Sequence, residues 1–184
     1  MPSSVLIGGE AGQGLVTVGQ LLTKCLVRSG YYIVVVEDYQ SRIRGGHNTY
    51  YIRFGDKEIY APTDSVDLLV AMNAESIELD APRLNENGKI IADKEVEVQD
   101  ERIISVPFES LTDKKYFNVA ALGIVASMLG LDDDLVKDTV HGFFGKKKEE
   151  AAQNNEEALK KSFEWYREQS IEFPSPGKVA NPPS

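Results

Sequence analysis

Two hydrophobic signatures alternate along the chain: short unbroken apolar runs, and stripes at helical spacing. Val5, Leu6 and Ile7 form a run of the first kind and predict a strand. The run passes into "GGEAGQG", Gly8 to Gly14, after which Leu15, Val18, Leu22, Cys25 and Leu26 fall on one helical stripe. Gly30 is placed to stop that helix, because the residue just past a helix end often turns left-handed, as glycine can. "YIVVV", Tyr32 to Val36, is β-branched throughout and predicts a strand buried on both faces. Strand, glycine turn, helix and strand make a βαβ unit, normally right-handed and parallel.

The later pattern adds a hairpin, more strands and a helical end. "TYYIRF", Thr49 to Phe54, reads as a strand on which Tyr50 and Tyr51 point to opposite faces. Gly55-Asp56 predicts a two-residue turn into a strand "KEIYA", ended by Pro62. Asp67 to Met72 is a buried strand, "NAESIELD" is helical, and "NENG" (Asn85 to Gly88) turns into Lys89 to Ala92. Arg102 to Pro107 holds the last strand. Asn118 to Leu129 is an almost wholly apolar helix stopped by Gly130, and Asp132, Asp133 and Asp134 open another through Val140. A charged helix spans roughly Glu149 to Glu168, with Lys146 to Lys148 before it read as a helix end facing solvent. The expected fold is a single three-layer α/β/α domain over residues 1–170 with a mostly parallel, mixed sheet. Residues 171–184 are proline-rich and predict an extended or disordered tail.

Charge narrows the function. With 20 basic and 29 acidic residues the net charge is −9, which argues against general binding to nucleic acid or anionic lipid. No apolar run approaches the roughly 20 residues that span a bilayer, and no secretory leader pattern opens the chain, so a cytoplasmic location is expected. Cys25 is the one cysteine. It cannot form an internal disulfide or supply the four thiolates an iron–sulfur cluster usually takes, and its place on the apolar stripe predicts an inert core residue. Any cluster used by this protein must sit on another chain.

Two stretches carry candidate chemistry. Gly9, Gly12 and Gly14 give G-x-x-G-x-G, which is neither the dinucleotide fingerprint nor a P-loop, since Leu15 stands where a P-loop needs lysine. Amides at a helix start attract anions whatever the motif, while Glu10 works against that. The loop either meets a ligand or uses its glycines for positive φ and close packing. The second stretch is "YQSRIRGGHN", Tyr39 to Asn48. It lies in a span with no acidic residue between Asp38 and Asp56, where Arg42, Arg44 and Arg53 all fall. Its arginines form either a clamp on phosphate or carboxylate, an anchor at a protein interface, or a solvated loop paired with Glu37 and Asp38. His47 and His141 have no partner at a recognisable spacing, so no self-contained active site is visible.

Together, "LIGGEAGQGLVTVGQLL", "YQSRIRGGHNTYYIRF" and "DLLVAMN" resemble the gamma subunit, or gamma domain, of the 2-oxoacid:ferredoxin oxidoreductases. "NVAALGIVASMLGL" and "NEEALKKSFEWY" extend the resemblance over roughly Ser4 to Tyr166. The resemblance implies a subunit of a complex that converts a 2-oxoacid and coenzyme A to acyl-CoA and carbon dioxide while reducing ferredoxin. Thiamine diphosphate, Mg²⁺ and iron–sulfur clusters would be held by alpha, beta and ferredoxin-like delta partners, with none bound by this chain alone. Consistent with that, Gly55-Asp56-Lys57 is not the Gly-Asp-Gly that opens the family's thiamine-diphosphate motif. Gly9, Gly12, Gln13 and Gly14 match the family's glycine loop, with Ala11 where a common form has glycine, and Arg44, Gly45 and Gly46 match its Arg-Gly-Gly loop. Arg42, His47 and Asn48 complete the candidate binding set. The alternative is a free-standing nucleotide- or phosphate-binding α/β protein; a third reading is an assembly scaffold that binds no ligand.

Overall fold

The structure, a computed structural model, describes residues 3–40, 46–144, 149–176 and 179. Its centre is a six-stranded sheet. The strands are β1 (Ser3–Glu10), β2 (Tyr32–Asp38), β3 (His47–Gly55), β4 (Val66–Ala71), β5 (Leu84–Asp93) and β6 (Ile103–Val106). They lie in the order β2-β3-β1-β4-β5-β6. The pairs from β1 through β4 and β5 to β6 are parallel, and only β3 runs against its neighbours β1 and β2. The mostly parallel, mixed sheet is therefore as expected.

The helices are α1 (Leu15–Arg28), α2 (Ala74–Asp80), the single turn α3 (Phe108–Leu111), α4 (Phe117–Met128), α5 (Asp133–Phe144) and α6 (Glu149–Glu168). The larger core joins Val5, Ile7, Tyr50, Ile52, Phe54, Leu68 and Val70 of one sheet face to α1, α4, α5 and α6. The smaller core joins Leu6, Tyr51, Leu69, Ile90 and Ala92 of the other face to Ile77 of α2. Tyr50 and Tyr51 do fall on opposite faces, because successive strand side chains alternate. α4 is buried nearly all round because α1, α5 and α6 all pack against it, which explains its unbroken apolar sequence. Each fully buried leucine or isoleucine in these cores contributes about 1.5–3 kcal/mol.

Both glycine stops work as expected. Gly30 (φ 92°) follows α1, with Tyr31 N donating to Leu26 O and Gly30 N to Val27 O. Gly130 (φ 68°) follows α4 with the equivalent bonds from Leu131 to Ala126 and from Gly130 to Ser127. This pattern satisfies carbonyls that a helix end would otherwise leave unpaired. At the other end of a helix, Asp132 Oδ1 accepts Leu135 N at 2.9 Å and opens α5, which runs past the expected end at Val140 to Phe144.

Four sequence expectations need correction. β2 is not buried on both faces: it is an outermost strand, and among the described residues no helix covers its second face. Ile33 and Val35 pack on the larger core, but Tyr32 and Val36 are exposed, so the β-branched run reports strand propensity and not double burial. β1 and β2 are parallel in direction but not adjacent, since β3 lies between them. "KEIYA" forms no strand, because β3 already has β1 on one side and β2 on the other, leaving no edge for a hairpin partner. "NENG" lies within β5, where the pairing with β4 shifts register between Val66 and Leu68. Beyond α6, Ile171 and Phe173 lie against the core, and Ser175 Oγ donates to Leu129 O. Lys146 to Lys148 lie outside the described residues.

Candidate functional site

The two candidate stretches meet at one end of the sheet. β1 ends at Glu10 and β3 begins at His47, and because these strands are antiparallel, Glu10 pairs with His47 and Gly9 with Asn48. Gly9, Gly12, Gln13, Gly14, Gly46, His47 and Asn48 therefore share one rim, although about thirty residues separate the motifs. Arg42, Arg44 and Gly45 lie outside the described residues. Arg53 points its guanidinium elsewhere, donating to Ala61 O at 2.6 Å.

The glycine loop is tightly held. Gly14 takes φ 84° as the residue capping α1, a left-handed conformation that a side chain would strain. Gly12 is also left-handed and has open space around it. Gln13 spends its carboxamide inside the protein: Oε1 accepts Glu10 N at 2.6 Å and Asn73 Nδ2 at 3.0 Å, and Nε2 donates to Met72 O at 3.3 Å. This side chain clamps the loop to the end of β4. The first turn of α1 has neither an acidic residue nor a side-chain cap; that of α4 also lacks an acidic residue, but there Asn118 Oδ1 accepts Val119 N at 2.9 Å. A Cβ at Gly14 would stand 3.2 Å from Asn118 in the first turn of α4, so two positive helix ends converge beside the loop.

The second stretch is anchored from both feet. Asn48 Oδ1 accepts Gln40 N at 3.0 Å, tying the chain before residues 41–45 to the chain after them. His47, for which the sequence offered no partner, stands with Nε2 2.7 Å from Asp80 Oδ2 on α2. Burial pushes the Asp80 carboxyl up from its ordinary value, and the neighbouring His47 and Arg83 partly oppose that. Asp80 is the site residue that sequence reasoning missed. Its signal was a carboxylate on the face of a short helix that also carries Ile77.

The remaining candidates are structural. Cys25 is fully buried in the larger core, and burial pushes its thiol up to about 11, with a hydrogen bond to Thr139 in opposition. Its surroundings do not suit a cluster ligand. Among the described residues no three His, Cys, Asp or Glu side chains converge as a metal site requires, and no helix is long and apolar enough to cross a membrane. A cleft of about 310 Å³ opens between α5 and α6, lined by Asp134, His141, Phe144 and Asn155, and it shares no residue with the rim. What the rim brings together is the glycine loop, the first residues of β3 and the buried His47–Asp80 contact.

Comparison with known proteins fits this picture. The chain is 25% identical over 170 residues to a 2-oxoglutarate synthase subunit KorC of Archaeoglobus fulgidus, covering 89% of this chain and 88% of the relative. It spans only about 12% of the length of the archaeal 2-oxoacid:ferredoxin oxidoreductase alpha subunits it also matches. The fold is shared with a solved 2-oxoglutarate:ferredoxin oxidoreductase of Magnetococcus marinus with 2-oxoglutarate, coenzyme A and succinyl-CoA bound. That match has a TM-score of 0.85 at 22% identity and covers 99% of this chain and 33% of the other. It is also shared with a keto/oxoacid ferredoxin oxidoreductase gamma subunit of Geobacter sulfurreducens, at a TM-score of 0.73 and 19% identity, covering 89% and 95%. Residues 4–165 match the family described as pyruvate ferredoxin/flavodoxin oxidoreductase, and the chain belongs to that family.

Proposed function

We propose that this chain is the gamma component of a 2-oxoacid:ferredoxin oxidoreductase, in which a 2-oxoacid and coenzyme A become acyl-CoA and carbon dioxide as ferredoxin is reduced. Its part is assembly, together with the presentation of the glycine loop and the start of β3 toward coenzyme A. The observation that carries this reading is the rim itself: the glycine loop and the start of β3 are held side by side at one end of the sheet. An edge of that kind is completed by a neighbouring chain. The uncapped start of α1 suits the phosphates of coenzyme A.

Thiamine diphosphate, Mg²⁺ and iron–sulfur clusters belong to alpha-, beta- and delta-type partners, since one buried cysteine cannot supply a cluster. The complex works in the cytoplasm. The test is reconstitution. Tagged chain should copurify with thiamine- and cluster-bearing partners, turn over no 2-oxoacid alone, and be required for coenzyme A-dependent acyl-CoA formation. A complex lacking it that keeps full coupled activity and stability overturns the proposal. Calorimetry on the isolated chain separates the alternative: tight binding of ATP or NAD, but not of coenzyme A, marks a free-standing nucleotide-binding protein.

A further inference from the structure

Beneath the rim lies a polar pair that assembly and ligand contact do not explain. The His47 and Asp80 side chains are 8% and 6% exposed, with Nε2 and Oδ2 2.7 Å apart. Close as these atoms are, His47 Nε2, His47 Nδ1 and Asp80 Oδ2 are left without a well-formed hydrogen bond among the described residues. Buried polar groups left incompletely bonded cost stability unless charge attraction offsets the loss. The chain makes room for this arrangement: a Cβ at Gly8 would lie 2.6 Å from Asp80 Oδ2 and 3.1 Å from His47 Cε1. Ser76, its polar neighbour on α2, is by contrast satisfied, with N and Oγ both donating to Asn73 Oδ1.

We propose that His47 and Asp80 form a proton-dependent lock that fixes the start of β3 to α2 and so positions the rim shared by the two loops. Asp80 is a positioning residue acting through His47. The role rests on the reading above, that the rim serves coenzyme A. His47 sits on the last rung of the β1–β3 ladder, where strand ends open at little cost, so a side-chain tie decides whether the rung stays closed. Asn48 uses its carboxamide within its own loop, which leaves His47 as the tie to α2.

The charge balance makes the lock pH-sensitive. Charged imidazole and ionised carboxylate attract each other. At low pH Asp80 takes up a proton and the attraction goes; Arg83, from the turn after α2, faces the same carboxyl. The other charged groups nearby are Glu10, opposite His47 on β1, and Asp38, opposite Thr49 at the end of β2. The lock therefore loosens as Asp80 takes up its proton.

Two measurements test it. On the full chain, carboxyl NMR follows Asp80 and amide exchange follows Asn48 to Tyr50. H47Q should move the Asp80 titration upward, because His47's favourable contribution disappears while burial stays, and should lower protection of those amides by about fivefold or more. D80N, an isostere, keeps the shape and should remove the pH dependence of protection. If the Asp80 titration and the protection pattern are the same in H47Q and the unaltered chain, the lock is refuted. In the reconstituted complex, D80N should change the pH profile of KM for coenzyme A while kcat stays near its unaltered value. An active complex whose KM profile ignores D80N removes the positioning role. A complex that is inactive with the unaltered chain overturns the proposed function instead, and the NMR result still decides the lock.

Discussion

Gly19 gives a sharp test of how closely α1 is held to the sheet. It lies in the second turn of α1, and a Cβ there would stand 2.4 Å from Cγ and Cδ1 of Tyr50 and 2.7 Å from Cδ2. Ordinary carbon contacts lie at about 3.5–4.0 Å, so ring or helix must give by roughly 1 Å. Tyr50 is buried on a strand flanked on both sides, which leaves it little freedom to retreat. Overpacking of this kind costs about 1–3 kcal/mol, and three ring atoms at such distances put Gly19→Ala near the upper end. Alanine returns about 1 kcal/mol of helix propensity. The net loss is about 2 kcal/mol, or about 4–8 °C in Tm for a chain of this size.

Urea denaturation of Gly19→Ala should therefore show a lower midpoint at unchanged m-value. In a Tyr50→Val background the obstructing ring is gone, and the same substitution should become stabilising by roughly 0.5–1 kcal/mol. This change of sign separates close packing from any general intolerance of alanine. A higher midpoint for Gly19→Ala in the otherwise unaltered chain would refute the reasoning.

Other outcomes follow from the same structure. Gln13→Ala leaves Glu10 N, Met72 O and Asn73 without their shared partner, so it should cost about 1–3 kcal/mol and speed amide exchange at Glu10; unchanged exchange there would show that the clamp is idle. Cys25, buried and with its thiol near 11, should resist a thiol reagent at pH 8 in the native chain and react only on unfolding; prompt native labelling would contradict its placement. The Arg102 guanidinium beside Asp100, at 2.6 Å, holds that carboxyl down at about 2. A depressed carboxyl stabilises the fold above its unfolded value near 4 and loses that effect as pH falls toward 2. Asp100→Asn should therefore lower stability at pH 7, with the difference shrinking as pH falls from 4 toward 2; a difference that stays constant over that range would assign the effect to something other than charge.

The sequence was most legible where a local rule acts alone. The glycine stops at Gly30 and Gly130 and the alternation of Tyr50 and Tyr51 depend only on neighbouring residues, and each holds in the structure. The strand at Tyr32 was placed correctly but its burial was not, because a β-branched run is the same at the centre of a sheet and at its edge. "KEIYA" failed for a reason no local pattern carries: β3 had already been claimed on both sides by strands earlier in the chain. At the rim, the glycine loop and the start of β3 were found as separate motifs. Their pairing and the His47–Asp80 contact depend on strand order, which brings residues 33 positions apart within 2.7 Å.

The single antiparallel strand has one more effect. In a sheet of parallel strands, loops gather at one edge because every strand ends there. β3 reaches that edge by its beginning, so the segment before it is delivered to the place where β1 gives out, and the ladder from Ser3–Phe54 to Glu10–His47 sets their alignment. The length of residues 41–45 does not enter that alignment. A change in the length of that segment therefore leaves the mounting of the glycine loop where it is.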